Sequence, residues 1–347
     1  MKLDFRRIHL FFPRKNLILG FLIVVGIMIL FFYFFLLFLP WTAPEKIEVT
    51  IERGMTPHQI AALLREKGVI REEGNFLWGA KLLGVTRKLQ AGKYEFQGRT
   101  TNYGILRKLY KGRVVTEQVT FPEGIRVTKI ASILRKELEV DSTRLMVLVN
   151  DASFCHSFGI YVSTLEGYLY PDTYRFHFNS NAEEVLERMV FRLREVFTDS
   201  LRKRAKELDM SIHQVLTLAS IVEGEAALES ERKIIAALYL NRLERNMFLQ
   251  ADPTIQYIIG DGPRRLLKKD LQIDSPYNTY INQGLPPGPV NNPGMASIRA
   301  VLYPALVKYL YMVANGDGSH TFSRTMQEHL EAKKRFDLVR RKVRQRR

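Results

Sequence analysis

From Leu17 to Leu39 the chain runs twenty-three residues without a charge, through Ile23-Val24-Val25 and Phe31-Phe32-Tyr33-Phe34-Phe35. No other stretch limits the fold so strongly. A helix needs about 20 apolar residues to cross a bilayer, and a cleaved signal peptide has a shorter core followed by small residues. Here the run ends in Leu39-Pro40-Trp41, and a Trp suits the membrane interface. Basic residues precede the run: Arg6, Arg7, Arg14 and Lys15. The sequence therefore predicts a transmembrane helix over residues 17–39, a cytoplasmic N-terminus over 1–16, and an extracytoplasmic remainder from about Thr42. The expected location is the cytoplasmic membrane, with a single pass.

The 347 residues suffice for two or more domains. Lys and Arg number 52 against 36 Asp and Glu, a net charge of +16, which favours an anionic partner without choosing among membrane, wall polymer and nucleic acid. Cys155 is alone, so no intrachain disulfide forms; a solitary Cys is more often a small buried hydrophobe than a nucleophile. After the linker 41–44 comes an internal repeat. Val49-Thr50-Ile51, Gly54, Ile60-Ala61 and Leu64-Arg65 return seventy residues later as Val119-Thr120-Phe121, Gly124, Ile130-Ala131 and Leu134-Arg135. Each copy reads as a strand, a Gly turn and an amphipathic helix. Thr56 and Pro57 are start signals for the first helix, and Asp141-Ser142-Thr143 opens a further one.

Val215, Leu218, Ala219 and Val222 recur at helical spacing and predict a buried helical face. At about 100° per residue Glu223 falls on one edge of it and Glu225 on the other. A carboxyl at such an edge loses hydration, which favours its protonated form and readies it for acid catalysis. Such a Glu is also often a plain solvated flank, and periodicity does not choose between the two. A long helix is expected over 182–208, with Val185, Met189, Leu193 and Val196 inward, and another over 231–246. Residues 271–295, dense in Pro, Gly and Asn, read as a long loop; in it Gly284-Leu285-Pro286-Pro287-Gly288-Pro289 is stiff enough to wall a cleft. A short helix over 297–302 and a strand over 309–314 follow, then a polar helix with a basic end. The acids in motif-like surroundings are Glu223, Glu225, Glu166, Asp172 and Asp252. The sequence contains no His-Glu-x-x-His, no Cys cluster, no phosphate loop and no Gly-x-Ser-x-Gly turn. Carboxylate chemistry remains, with no metal and no cofactor expected.

Several separated motifs together resemble the endolytic murein transglycosylases, the YceG-like family. They are Leu165-Glu166-Gly167-Tyr168-Leu169-Tyr170-Pro171-Asp172-Thr173-Tyr174, Ala219-Ser220-Ile221-Val222-Glu223, Gln250-Ala251-Asp252-Pro253-Thr254, Ser275-Pro276-Tyr277-Asn278-Thr279-Tyr280, and Gly284 to Pro289 with Asn292-Pro293-Gly294. The resemblance runs from about residue 45 to about 330. It implies an α+β protein with an N-terminal transmembrane helix, a LysM-like subdomain over 45–115, a mainly helical catalytic domain with a loop-rich cleft over 116–330, and a basic tail over 331–347. It implies a lytic transglycosylase in which Glu223 is catalytic, cleaving the MurNAc-β-1,4-GlcNAc bond within glycan strands to leave 1,6-anhydroMurNAc ends. Glu166, Tyr168, Tyr170, Asp252, Tyr277, Asn278, Thr279 and Tyr280 become expected substrate contacts. The implied partners are peptidoglycan strands, the bilayer through residues 17–39, and peptidoglycan synthases in the same membrane; nucleic acid is not among them. A lysozyme-like hydrolase would need a second carboxylate, Asp252 or Asp172, and a non-catalytic wall-binding scaffold would need none. Two positions depart from the family pattern: Gly224, where many members have Lys, and Leu330, where many have Asn. A Gly at 224 predicts that the helix ends or bends just after Glu223.

Overall fold

The computed structural model describes residues 14–345 except residues 53, 113–115, 178–179 and 261–263; side chains at 14–17, 33, 36, 41–44 and 337–345 lie outside the description. The first thirteen residues, where most of the basic N-terminal flank falls, lie outside the described residues. The chain forms two compact units, one up to Thr116 with His177, the other over 117–176 and from Ser180 onward.

The first unit begins with helix α1 (Arg14–Phe38). It continues through strand β1 (Trp41–Ile51), helices α2 (Pro57–Glu66) and α3 (Glu73–Leu82), strand β2 (Gly92–Thr100) and helix α4 (Asn102–Tyr110). β1 and β2 pair antiparallel, with Val49 opposite Tyr94 and Trp41 opposite Thr100. The expected linker 41–44 is thus the first part of a strand, and the register shifts between Ala43 and Ile47, around a Pro that has no N–H to give the ladder. Alternate residues Val49 and Ile51 turn inward onto Ile60, Leu64, Phe76, Tyr94 and Leu106. Thr56 accepts from the Gln59 amide and Gln59 answers with its own side chain, a capping box that starts α2 where the sequence placed it.

Among the described residues no helix is long and apolar enough to cross a membrane. Side chains 14–17, 33 and 36, outside the description, fall in or beside the expected span. The chain does form one continuous helix there, with Phe21, Met28, Phe31 and Phe35 exposed. Its far end is docked: Leu37 is 2% exposed, and a Cβ on Gly79 of α3 would lie 2.5 Å from its Cδ1.

The second unit is mainly helical. In order come β3 (Thr116–Thr120), α5 (Val127–Leu138), α6 (Ser142–Val149), α7 (Ala152–Ser157), β4 (Thr173–His177), α8 (Ala182–Val196), α9 (Asp199–Glu207) and α10 (Ile212–Glu225). Then follow α11 (Arg232–Glu244), α12 (Asp252–Ile259), α13 (Met295–Leu302), strands β5 (Tyr311–Ala314) and β6 (His320–Ser323), and α14 (Met326–Gln345). β3 pairs with β4, and β5 with β6. The second copy of the repeat forms as β3, a turn at Gly124 (φ +73°) and α5. The expected helix over 182–208 is two helices. The chain breaks at Phe197, which turns inward to 1% exposure, and restarts from an extended Thr198. α14 runs unbroken across the expected start of the basic tail at 331.

α10 is the central helix. It starts on a Ser211–Gln214 capping box, and every residue from Val215 to Val222 is buried, so it is covered on all sides rather than on one face. Its two hydroxyl residues satisfy themselves inside the helix: Thr217 donates to the His213 carbonyl at 2.7 Å and Ser220 to that of Thr217 at 2.8 Å. The loop before α13 docks on it, with the Val290 N–H donating to Ser220 Oγ and the Asn291 side chain to the Ser220 carbonyl. The helix ends at Glu225, two residues beyond the expected break. Gly224 lies under Pro253, whose Cβ a side chain at 224 would meet at 2.8 Å.

In the same loop is Asn292, fully buried. Its Oδ1 accepts the Gly167 and Leu169 N–H groups, and its Nδ2 donates to the Ile125 carbonyl and to Glu166 Oε1, all at 2.9 Å. An amide has no further capacity. Replacing it with Ala strands several buried groups, each costing about 1–3 kcal/mol. Asn292→Ala is therefore expected to destabilise the folded protein by about 3 kcal/mol or more, read as the loss in unfolding free energy in urea titration.

Candidate active site

Glu223 sits on the last turn of α10 with its side chain 6% exposed. Its two oxygens have different partners. Oε1 accepts from Arg232 Nη1 at 2.9 Å, and Oε2 from the Gly294 N–H at 3.1 Å. Gly294 is the N-cap of α13, so the carboxylate lies at a helix N-terminus, where unpaired amides and the macrodipole favour an anion. Arg232 opens α11 and is held by more than Glu223: Nε reaches Glu229 at 2.8 Å and Nη1 reaches the buried Ser297 hydroxyl at 2.6 Å. One guanidinium thereby ties α10, α11 and α13 together around the carboxylate. Charge-assisted bonds of this kind fix direction as well as distance.

The turn after β3 closes over the same point. The Gly124 N–H donates to the Asn292 carbonyl at 2.8 Å, and a Cβ on Gly124 would stand 3.3 Å from Glu223 Cγ. Glu123 bends across Gly294, whose missing Cβ would fall 1.9 Å from the Glu123 carboxyl carbon. Any side chain at 294 would have to push the Glu123 carboxyl aside. Burial and the charge of Glu223 push the Glu123 carboxyl above its ordinary range, with Arg232 pulling the other way. Tyr170, mostly buried, faces both Glu123 and the Met295 amide.

The two edges of α10 do diverge. Glu225 points instead toward Asp252, Tyr239 and Arg242. Burial first, then the Asp252 charge, raise its carboxyl's pKa, and Arg242 lowers it. Tyr280 donates to Asp252 Oδ1 at 2.5 Å. Asp252 thus belongs with Glu225. Asp172 pairs with Arg192 at 2.7 Å. Neither expected second carboxylate bonds with the Glu223 group; the acids that come beside it are Glu229, which shares Arg232, and Glu123.

The remaining expected contacts are mostly committed to the protein's own backbone. Glu166 is 5% exposed and accepts from the Val127 N–H and Asn292 Nδ2, which caps α5 from outside. Asn278 donates to the Leu271 and Ile273 carbonyls. Thr279 accepts from the Ala251 N–H and bonds Thr254. Tyr277 packs against Tyr257 with the rings tilted, centroids 4.8 Å apart. Tyr168 reaches His213 Nδ1 at 2.8 Å and lines a hollow of about 560 Å³ with Phe158, Val162 and Phe197. The stiff loop at Gly284–Pro286 walls a separate groove of about 950 Å³ with Leu208, Leu240 and Val307. Glu223 lines neither. Among the described residues no three His, Cys, Asp or Glu side chains gather to hold a metal ion.

Arg232 and Glu123 were not picked out from the sequence. Arg232 carried a signal: together with Lys233 it puts two cations and no acid in the first turn of α11, the wrong sign for the helix dipole unless an outside anion holds one of them. Glu123 carried none, because only the fold brings residues 123, 223 and 294 together.

The site thus holds a carboxylate between an arginine and a helix N-terminus, on the last turn of a core helix. The chain belongs to the YceG-like family, whose model matches residues 49–335. It is 33% identical over 305 residues to the endolytic murein transglycosylase of Bacillus subtilis, covering 84% of each chain. It is 29% identical over 325 residues to the endolytic murein transglycosylase of Streptococcus pneumoniae strain D39, covering 84% of this chain and 59% of the relative. The crystal structure at 2.6 Å of a putative yceG-like protein from Listeria monocytogenes matches with a TM-score of 0.59 and 35% identity, over 83% of this chain and 99% of that one.

Burial gives one of these groups a measurable titration. It pushes the Glu166 carboxyl from 4.5 up to about 7, against the opposing pull of the Val127 N–H, Arg126 and Asn292. The native state then holds a proton that the unfolded chain releases, so stability from this group is full below about pH 4.5 and is lost as pH rises through about 7. Full loss amounts to about 3 kcal/mol. Urea titrations at pH 5.5 and pH 8 should show the wild type losing stability over that interval and Glu166→Gln losing clearly less. Equal losses in both would show that Glu166 is not the group responsible.

Proposed function

We propose that the protein is a membrane-anchored endolytic lytic transglycosylase. It acts on peptidoglycan, cleaving the MurNAc-β-1,4-GlcNAc bond inside glycan strands and leaving 1,6-anhydroMurNAc ends. The observation that carries the reading is Glu223, the residue aligned with the family's catalytic Glu by the sequence motif, fixed by Arg232 and the Gly294 N–H. Two relatives named for this activity support the reaction class.

In the reaction, Glu223 donates a proton to the glycosidic oxygen as the bond from that oxygen to muramyl C1 breaks. The muramyl C6 oxygen then bonds to C1, and its hydroxyl proton returns to a carboxylate. No water is consumed. Because the nucleophile belongs to the substrate, one carboxylate suffices for both transfers, whereas ordinary glycosidases use two about 5–9.5 Å apart. Tyr170, beside Glu123 and α13, is the expected contact nearest the chemistry; Asp252, Tyr280 and Tyr277 belong to neighbouring surface.

The anchor is α1. Its exposed Phe, Ile, Leu and Met side chains are costly in water and at home in a bilayer. The basic flank holds the N-terminus in the cytoplasm and the second unit acts outside it. The first unit then serves as a LysM-like module that holds glycan near the membrane, where peptidoglycan synthases are the natural neighbours.

The test uses the full chain in detergent on purified peptidoglycan, with products read by mass spectrometry. Fragments lighter by one water than hydrolysis products are expected, and Glu223→Gln should lower their rate by at least about 10²-fold. Reducing ends instead would make the protein a hydrolase, and cleavage undiminished in the variant would remove Glu223 from the chemistry.

A further inference from the structure

Arg232 holds Glu223, so whatever places Arg232 bears on the reaction. The residue before it, Glu231, ends a short 3₁₀ turn and is the N-cap of α11. An acidic or polar side chain at that position ordinarily turns back onto the helix's own first amides. Glu231 makes no such cap bond. It reaches across to β6 instead. Oε1 accepts the His320 N–H at 2.9 Å, and Oε2 the His320 Nδ1–H at 2.7 Å. A carboxylate only accepts, so it is Nδ1 that carries the hydrogen. Both side chains are 11% exposed. One residue thus supplies two donors, one from the strand backbone and one from the ring, and the carboxylate is fixed in direction as well as distance. The turn of the β5–β6 hairpin lies over the same segment: a Cβ on Gly318 would stand 3.6 Å from Ala227 Cβ.

The rest of α11 is attached by other means. The Ala305 N–H donates to the Lys233 carbonyl at 3.1 Å, Asn241 donates to the Val307 and Tyr309 carbonyls, and Arg242 to that of Leu310. These bonds keep the helix in place without His320. What His320 alone supplies is the two donors of Glu231. Without them Glu231 is a buried carboxylate with no partner, a costly state, next to a guanidinium already divided between Glu223 and Glu229. Either the turn moves to bring Glu231 to water, or Arg232 swings toward it. Both take Arg232 off Glu223.

We propose that His320 is a positioning residue for the reaction, acting through Glu231 to hold Arg232 on Glu223. This rests on the reading of Glu223 as the reacting acid given above. His320 itself touches neither Glu223 nor the reacting atoms; its part is to occupy Glu231, so that the cation one residue on serves the site.

The experiment uses the full-length protein in detergent on purified peptidoglycan, as wild type, His320→Leu, His320→Asn, Arg232→Met and the double variant Arg232→Met/His320→Leu. Total fragment release gives the rate, co-sedimentation the strand binding, and a melting curve shows which proteins are folded at the assay temperature. His320→Leu is expected to bind strands normally and to cleave about 10–10²-fold more slowly. Asn carries a side-chain N–H donor in the place of Nδ1, so His320→Asn should recover most of that loss. Residues that act through a shared partner are not additive, so in the Arg232→Met background His320→Leu should cost less than about threefold. An equal loss in both backgrounds overturns the assignment, as does a folded His320→Leu protein within about threefold of the wild-type rate. If His320→Leu melts below the assay temperature, Glu231→Ala takes its place with the same outcomes, since it removes the pair without leaving a buried charge. The rate is counted whatever the chemistry of the ends, so the two readings fail separately. Reducing ends from wild type overturn the transglycosylase reading and leave the test of His320 intact; anhydro ends with an unaffected His320→Leu dismiss His320 alone. A wild type that cleaves nothing overturns both.

Discussion

The second unit depends on the buried amide of Asn292. Four side-chain hydrogen bonds and two backbone ones join three segments that are far apart in sequence: the turn at 124–127, the loop at 166–169, and the loop that leads into α13. Each of these segments is irregular, so none can satisfy its own backbone groups in a helix or a sheet. Buried without Asn292, their amides and carbonyls would be orphaned. Two residues beyond it, the same loop delivers the Gly294 N–H to Glu223. The site is therefore positioned by polar satisfaction as much as by packing. The apolar core, α10 above all, supplies the floor.

The Glu223–Arg232 pair sits on that floor, with side chains 6% and 13% exposed. A pair this buried is weak evidence of net stabilisation, since desolvation offsets most of the Coulomb gain. Removing one partner, however, leaves an uncompensated charge. What the pair does supply is direction. Arg232 reaches Glu223, Glu229 and Ser297 at once, and only a planar fork of donors can do so. Glu223 is held with one oxygen on α11 and the other at the start of α13, and Glu123 approaches it from the turn.

Local signals made much of this legible in the sequence. Thr56 with Pro57, Asp141 and the recurrence of Val49–Leu64 in Val119–Leu134 place helix starts and Gly turns where the chain forms them. The period through Val215–Val222 places Glu223 and Glu225 on separate edges, and the structure sends them to separate neighbours. Long-range satisfaction was not legible. Glu166, Asn278 and Thr279 look like sugar ligands in a motif because they are polar and sit among aromatics; in the fold their polar atoms close the backbone of Val127, Leu271 and Ala251. Asn292 reads as one more turn residue for the same reason. The break at Phe197 escapes helical periodicity because the apolar period of α8 continues into α9, and burial of one Phe decides the kink. Glu123 stands in a plain Phe-Pro-Glu-Gly turn, and nothing local marks it as the neighbour of residue 223.

Arg232 and the N-terminus of α13 hold Glu223 in one orientation, which under the proposed function is the one that reacts. The most direct measurement is the initial rate of peptidoglycan cleavage by the full-length Arg232→Met protein, at a temperature where its melting curve shows it folded. A displaced reacting group costs on the order of 10²-fold in rate. A loss of at least that size is expected, with strand binding retained. A folded Arg232→Met protein that cleaves at the wild-type rate would contradict it.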